Sequence, residues 1–526
     1  MSLFYSFLFL TWLSTALFIR YLITTYLKSG SNSDRRHRPP PSPPALPIIG
    51  HIHHLLSAMA KSLQTLSNRY GPIMEIKVGA AICYVASDSS VAKQIFKTQE
   101  LNFSSRPEFG SAEYFKYRGS RFVMAQYGDY WRFMKKLCMT KLLSVPQLQT
   151  FIHVREDEVD KLLHSLIEKS KSGEPADLSS ELTSLTNNVI CQMVMGKRCS
   201  GTSNEAATIK HLVEQSLVLA GKLTVGDSLG FLKRFFGYRK LLESVLERYD
   251  TLVEMILKEH EKEMESEDDY KHKGNKDLMH ILLDTHRDPA AEVKITRVDI
   301  KSFLLDLFMA GTDTSSTAMQ WAMGELINHP YALSKLKTEI ESVVGTGRLM
   351  NESDVPNLPY LRAVLRETLR LHPSAPLIIR ECAEDCQING YDLKAKTRML
   401  VNVFAVMRDP KEWKDPDEFV PERFMEESSE KIGEHQMEFK GQNFRYLPFG
   451  SGRRGCPGAS LAMNIMHLTI GRLVQCFDFE VSGGGGKVDM TLGNAFAAEM
   501  ANPLIVLPRA RKDLFSSTLE FDMRKE

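Results

Sequence analysis

Near its C-terminal end the chain sets one cysteine in a run of glycine and arginine, Phe449-Gly450-Ser451-Gly452-Arg453-Arg454-Gly455-Cys456-Pro457-Gly458, ahead of an apolar helical segment. The glycines permit backbone turns closed to other residues and let main chain approach the sulfur and a flat ligand closely. A metal-binding thiolate needs a depressed pKa, which cationic neighbours and the N–H groups of a helix start can supply. Arg453, Arg454 and the turn around Cys456 provide both, and Phe449 packs on the buried side of the sulfur. Cys456 therefore reads as a metal ligand. Gly450-x-Gly452-x-x-Gly455 also spells a dinucleotide fingerprint, but that needs a preceding apolar strand, a βαβ unit and an acidic residue about 20 positions on. Zinc is disfavoured because Cys456 has no partner at Cys-x-x-Cys spacing. A buried inert thiol is the remaining reading, and it loses because other segments agree with the first.

The loop resembles the Phe-x-x-Gly-x-Arg-x-Cys-x-Gly signature of the haem-thiolate monooxygenases, the cytochrome P-450 family. All five defining positions match. The resemblance implies a mainly α fold with a smaller β-rich lobe, and haem b with its iron bound by the Cys456 thiolate, a ligand that favours O–O cleavage.

A chain of 526 residues can bury a large core, and no internal repeat is evident. Lys plus Arg (66) nearly balances Asp plus Glu (65), so no basic field draws the protein to nucleic acid. Eight cysteines are scattered along the chain, which argues against a disulfide framework and fits a reducing compartment. The close pairs Cys191/Cys199 and Cys382/Cys386 read as structural.

Leu3 to Leu27 is almost wholly apolar or aromatic, interrupted by Arg20 and followed by Lys28. At about 1.5 Å per residue such a helix can cross a hydrocarbon core roughly 30 Å thick. Arg20 lies near one end, where it can snorkel. A cleaved signal peptide is the rival, opposed by the length of the run and the lack of a small-residue cleavage site. Arg35, Arg36 and Arg38 follow, predicting a cytosolic body. The expected organisation is a membrane anchor at 1–28, a basic and proline-rich hinge at 29–50, and a haem domain at 51–526. Pro39 to Pro47 is expected to be a stiff extended spacer. The localisation implied is the endoplasmic reticulum membrane, single-pass, with membrane lipid as a partner.

Apolar alternation from Ile73 to Val85 around Gly79 predicts a hairpin. Helical spacing dominates from about Ser89, as in Val154 to Leu166 and Leu241 to Leu257. Lys258 to Lys276 reads as a solvated helix end running into a loop. Phe303 to Ile327 predicts an apolar helix interrupted at Ala310-Gly311-Thr312-Asp313-Thr314-Ser315, since glycine and consecutive hydroxyl residues weaken a helix interior. Gly311 is expected to open room for dioxygen. The segment resembles the family's Ala/Gly-Gly-x-Asp/Glu-Thr motif, which implies that Thr314 organises oxygen and water while Asp313 feeds a proton relay. Asp306 shares nearly the same face as Asp313 and reads as a core-edge acid outside the site.

Glu367 and Arg370 can pair on one helix face, in a helix ended by His372-Pro373. The resemblance adds Arg423 of Pro421-Glu422-Arg423-Phe424, giving a structural triad. It also implies that Trp131, Lys135, Arg380 and Arg454 serve the haem propionates, with Lys135 standing where the family usually has arginine. Arg132 and Lys136 would then lie near a docking face for an acidic reductase, against the plainer reading of solvated charge.

The implied function is insertion of one oxygen atom into a small lipophilic substrate, with electrons from NADPH through a separate NADPH-cytochrome reductase. The hinge and cysteine loop look like those of plant microsomal members. Arg380-Glu381-Cys382-Ala383-Glu384-Asp385-Cys386 and Lys440-Gly441-Gln442-Asn443-Phe444 look closest to the cluster of triterpenoid oxidases and flavone or isoflavone synthases. Expected pocket residues are Phe308, Met309, Ala375 to Ile379 and Phe496 to Ala498. A dry pocket suits a triterpenoid better than a flavonoid. Rivals are a haem-thiolate isomerase or dehydratase, and a haem-binding sensor or electron carrier.

Overall fold

Strands β1 (Ile73–Val78) and β2 (Ala81–Ala86) pair antiparallel with Ile76 opposite Cys83, and Gly79 turns between them at φ +61°. This is the hairpin that the alternation predicts. The computed structural model describes residues 38–511 except 48, 56–57, 80, 109–121, 266–275, 427–442, 483–485, 494–497 and, within 199–237, all but 208, 211, 212, 215 and 219. It also describes 5, 6, 9 and 11–20.

Further along the chain come β3 (Ala176–Asp177), β4 (Leu377–Glu381), β5 (Cys386–Ile388), β6 (Tyr391–Leu393), β7 (Arg398–Asn402), β8 (Phe477–Val481) and β9 (Ile505–Ala510). The main sheet runs β1-β2-β7-β4, with β2 parallel to β7 and β4 antiparallel to it. Arg380 sits opposite Met399 in that last pairing. A second sheet, β3-β9-β8, and the β5-β6 hairpin complete the strands of the described residues. The rest is mainly helical. Its core gathers Phe303, Leu304 and Phe308 of one helix, Val189 and Ile190 of a second, and Leu468 and Ile470 of a third.

The central element is the helix Arg297–Asn328, 32 residues long. Thr296 opens it with a capping box: its hydroxyl accepts from Asp299 N at 3.2 Å and its own N donates to the Asp299 carboxylate at 2.7 Å. The expected interruption at 310–315 is absent, and the helix runs through it. Two hydroxyls here are absorbed within the helix, Thr314 Oγ1 donating to Ala310 O at 2.7 Å and, just beyond, Ser316 Oγ to Asp313 O at 3.1 Å. Gly311 likewise serves helix contact. A Cβ there would lie 2.7 Å from Ile190 Cδ1 on the helix Leu178–Met195, and Thr186 Oγ1 of that helix donates to Thr312 O at 2.9 Å.

Glu367 and Arg370 lie fully buried in the helix Pro359–Leu371 and pair through two bonds of 2.7 and 2.8 Å. Arg423 Nε joins Glu367 at 2.9 Å, so the triad forms as expected. Arg370 also donates to Met407 O, Pro416 O and Glu418 O, which ties the helix to the irregular segment ahead of the cysteine loop.

The proline tract is extended but does not stand off the body. Pro40 and Pro43 are buried, Glu75 N donates to Pro41 O at 2.8 Å, and His51 Nε2 donates to Pro43 O at 2.9 Å. Of the expected anchor, Thr11–Arg20 is helical with Trp12, Leu17 and Phe18 exposed, while most of the remainder, like Arg35 and Arg36, lies outside the described residues. No helix among the described residues is long and apolar enough to cross a membrane. Cys191, of a pair read as structural, is disulfide-bonded, and Cys199 lies outside the described residues. The Cys382 and Cys386 sulfurs are 3.6 Å apart as free thiols.

Candidate active site

The long helix, the cysteine loop, β4 and the helix Asp129–Leu137 enclose a cavity of about 340 Å³. Leu307, Ala310, Gly311, Thr314, Ser315 and Ala318 form one stripe along its wall. Their spacing is that of a single helix face. Phe308 and Met309 fall between these positions and turn away, so they are not in the wall as expected. Ala375, Leu377 and Ile378 are in it, whereas Pro376 and Ile379 are not. Phe496 and Ala497 lie outside the described residues, as do 440–442.

The cysteine loop closes through a bond from Cys456 N to Phe449 O at 2.9 Å. Gly450 and Gly452 are left-handed, at φ +70° and +68°. At Gly452 a Cβ would come within 2.6 Å of Glu100 Oε1 and 3.0 Å of Phe96 O, so the turn requires glycine. Cys456 lies deep in the protein yet its side chain opens onto the cavity. Burial pushes its thiol up, while the Gly458 N–H and Lys135 pull it down. The arginines expected to do this are engaged elsewhere. Arg453 pairs with Glu100 at 3.2 Å, and Arg454 Nε donates to Ser104 O at 2.5 Å. Lys135 Nζ donates to Gly455 O at 2.6 Å and is the cation coupled to the sulfur.

Beside the sulfur stand three guanidiniums, Arg106, Arg380 and Arg454, all in the cavity wall. Burial pushes Arg106 down to about 10, and burial followed by repulsion from Arg106 pushes Arg454 down to about 9. Arg380 is held well below its ordinary value by burial, then by Arg106 and Arg454. Among the described residues none of the three forms an ion pair, and Arg106 Nε has no hydrogen-bond partner. Trp131, buried and stacked on Phe122, lies under the Arg454 guanidinium at 4.7 Å. Buried cations without counter-charge are expensive unless a ligand brings one. A flat group that offers a metal to the sulfur and carboxylates to the arginines fits this wall.

The structure thus gathers Cys456, Phe449, Arg454, Trp131, Lys135, Arg380 and Thr314 around one space, and leaves Asp313 outside its wall. Two further residues belong there. Arg106 carries no repeat or spacing that distinguishes it; only its place in Ser104-Ser105-Arg106-Pro107 was available as a signal. Asp306 reads from the sequence as a core-edge acid, but four residues before Ala310 it falls on the lining stripe. Its carboxylate accepts from Val123 N at 3.0 Å.

Residues 40–505 match the family model for cytochrome P-450. The chain belongs to the cytochrome P-450 family. It is similar to the 3,9-dihydroxypterocarpan 6A-monooxygenase of Glycine max, 42% identical over 482 residues that cover 90% of this chain and 94% of the relative. It is also similar to the beta-amyrin 24-hydroxylase of Glycine max, 39% identical over 505 residues, 95% of this chain and 98% of the relative. A zebra fish cytochrome P-450 solved with progesterone matches with a TM-score of 0.71 at 25% identity, covering 85% of this chain and 99% of its own. This cytochrome P-450 is accordingly a monooxygenase of plant specialised metabolism with a haem-thiolate cofactor, and members of its family draw electrons from redox partners and act on lipophilic substrates.

Proposed function

We propose that this cytochrome P-450 inserts one atom of dioxygen into a triterpenoid, with Cys456 as the thiolate ligand of the haem iron. The observation that carries the reading is that the Cys456 side chain and Thr314 line one cavity whose wall is mostly apolar. Arg106, Arg380 and Arg454 supply the counter-charge for the haem carboxylates, with Trp131 and Lys135 at their side. Phe449 packs beside the sulfur. Bound haem supplies the activation of dioxygen. Thr314 orients a proton source at its hydroxyl, and Asp313 feeds that relay from outside the wall. The similarity to a beta-amyrin hydroxylase along nearly the whole chain supports a triterpenoid.

A second reading, oxidation of a flavonoid-type polyphenol, is supported by the similarity to a monooxygenase named for a dihydroxypterocarpan and by the Asp306 carboxylate in the wall. Electrons come from NADPH through a membrane-bound NADPH-cytochrome reductase. Arg132 and Lys136 are the cations offered to it, each already paired, with Asp129 and Glu292. Residues 1–28 anchor the protein in the endoplasmic reticulum membrane with the body on the cytosolic face.

The test is expression of the whole chain with a reductase in yeast, fed with a panel of triterpenes and flavonoids. A triterpene product heavier by one oxygen, absent with Cys456→Ser, is expected. Turnover of polyphenols alone moves the assignment to the second reading. Turnover by Cys456→Ser with an unchanged carbon monoxide difference spectrum removes both.

A further inference from the structure

Outside the wall of the haem cavity, which the neighbouring Leu278 reaches, the last turns of the helix Tyr238–Glu265 meet the first turn of the helix Leu278–Arg287 through three buried side chains, His260, Asp277 and His280. Asp277 is the N-cap of the second helix and its Oδ1 accepts from His280 N at 3.0 Å. Its carboxylate also faces both imidazoles, with His260 Nε2 at 3.2 Å from Oδ2 and His280 Nδ1 at 2.7 Å from Oδ1.

The protons do not suffice for this arrangement when both imidazoles are neutral. His260 Nδ1 lies 2.9 Å from the Ile256 carbonyl, which can only accept, so the single ring proton belongs on Nδ1. The Nε2 lone pair then points at a carboxylate oxygen inside the protein, two acceptors face to face. Either a second ring proton on His260 or a bound cation resolves that contact.

We propose that His260, Asp277 and His280 form a divalent-cation site, with zinc as the ion that fits its donors. Nε2 of His260, Nδ1 of His280 and one oxygen of Asp277 give three N/O donor atoms, a set suited to zinc with water in the fourth position. Tetrahedral ligands at about 2.0 Å from the metal lie about 3.3 Å apart, and the candidate ligand atoms all fall within 4.8 Å of one another. His260 also has the outer partner that ligating histidines use, the Ile256 carbonyl on its other nitrogen, while Glu263 Oε2 faces His280 Nε2 at 3.8 Å, beyond hydrogen-bond reach. His260 and Glu263 are three apart on one helix, as are Asp277 and His280 on the next, so both pairs present one face. The ion clips the two helices together, replacing a proton on His260.

The probe is zinc chloride. Full-length protein carrying its haem is stripped with a chelator, dialysed against micromolar zinc, and its zinc counted per chain by mass spectrometry. One zinc per chain is expected, with affinity lowered roughly tenfold or more in His280→Ala and in Asp277→Asn. His53→Ala, at an exposed histidine on the other lobe, should leave the count unchanged. Reduced carbon monoxide spectra of the variants establish that they are folded. Wild-type protein that takes up no zinc under these conditions overturns the site, since a doubly protonated His260 then supplies the charge. Zinc retained equally by both folded variants also overturns it.

Discussion

Lys135 Nζ donates to the carbonyl oxygen of Gly455 at 2.6 Å, so a cation from the helix Asp129–Leu137 grips the cysteine loop one residue before Cys456. The family pattern implied a propionate contact for this position; here its bond goes to the loop. Lys135→Met leaves that carbonyl without its donor, which should cost about 1–3 kcal/mol. Lys135→Arg keeps a donor within reach and should cost less. Thermal melts and haem content per chain distinguish the two, and a Met variant with wild-type values for both would show that the bond carries nothing.

The arginine cradle gives a test in which stability and cofactor retention move apart. Arg106, Arg380 and Arg454 repel one another without an ion-pair partner among the described residues. Removing one relieves the haem-free protein and deprives the haem of counter-charge. Arg380→Leu should therefore leave the melting temperature of haem-free protein unchanged or higher, while haem dissociates at least about tenfold faster, the equivalent of one lost charge-assisted bond. Heme transfer to an acceptor globin reads the second quantity. A variant that melts lower without haem and holds haem normally would contradict the cradle.

These cases also separate what the chain made legible from what it did not. The cysteine loop, the Glu367–Arg370–Arg423 triad and the β1–β2 hairpin are local patterns, and their geometry follows from short spacings in the sequence. The third partner of the guanidinium cluster is different. Arg106 lies far along the chain from Arg380 and Arg454, and only folding brings them together. Helix phase was the other difficulty. Asp306 reads in the sequence as a core-edge acid and Phe308 as a pocket residue, whereas the wall follows Ala310 and Thr314 and takes Asp306 but not Phe308. The expected break in the long helix failed because the hydroxyls found acceptors one turn back and Gly311 found a neighbouring helix.

Gly311→Ala tests that last point. The added methyl would sit 2.7 Å from Ile190 Cδ1 and 2.9 Å from Cγ1, so helix Leu178–Met195 must give way. Overpacking of this kind costs about 1–3 kcal/mol. Combining it with Ile190→Ala should yield a protein more stable than the sum of the two single effects, because the methyl fills the space vacated. Strict additivity in chemical denaturation would mean that Gly311 serves the cavity and not the helix contact.

Thr314→Ala separates proton handling from haem binding. Thr314 opens onto the cavity, its hydroxyl bonded to Ala310 O and its carbonyl accepting from Ser374 Oγ at 2.7 Å. The variant keeps the backbone bond and loses the hydroxyl together with the γ-methyl. Haem content should be unchanged, while a larger share of NADPH consumed should appear as peroxide and a smaller share as product. Unaltered coupling would remove Thr314 from the relay.

His467 predicts an acid sensitivity that belongs to the fold and not to the haem. It lies buried in the helix Ala459–Cys476, its Nε2 without a hydrogen-bond partner, and Arg362 and Arg366 of the neighbouring helix act on it electrostatically. Burial pushes its pKa down to about 3, opposed by a backbone bond at Met463 and aided to a lesser degree by each of the two arginines. Between about 3 and the ordinary value of 6.5 the unfolded chain takes up a proton that the folded one refuses. Stability from this group is therefore whole above 6.5 and drains as the pH falls toward 3, by roughly 2 kcal/mol at pH 5. His467→Met, which cannot titrate, should be destabilised relative to wild type at pH 7 by its packing change alone. That gap should then close by roughly 2 kcal/mol at pH 5. Urea melts of both proteins at the two pH values measure it, and a gap that does not change with pH would mean that His467 takes up its proton in the folded state.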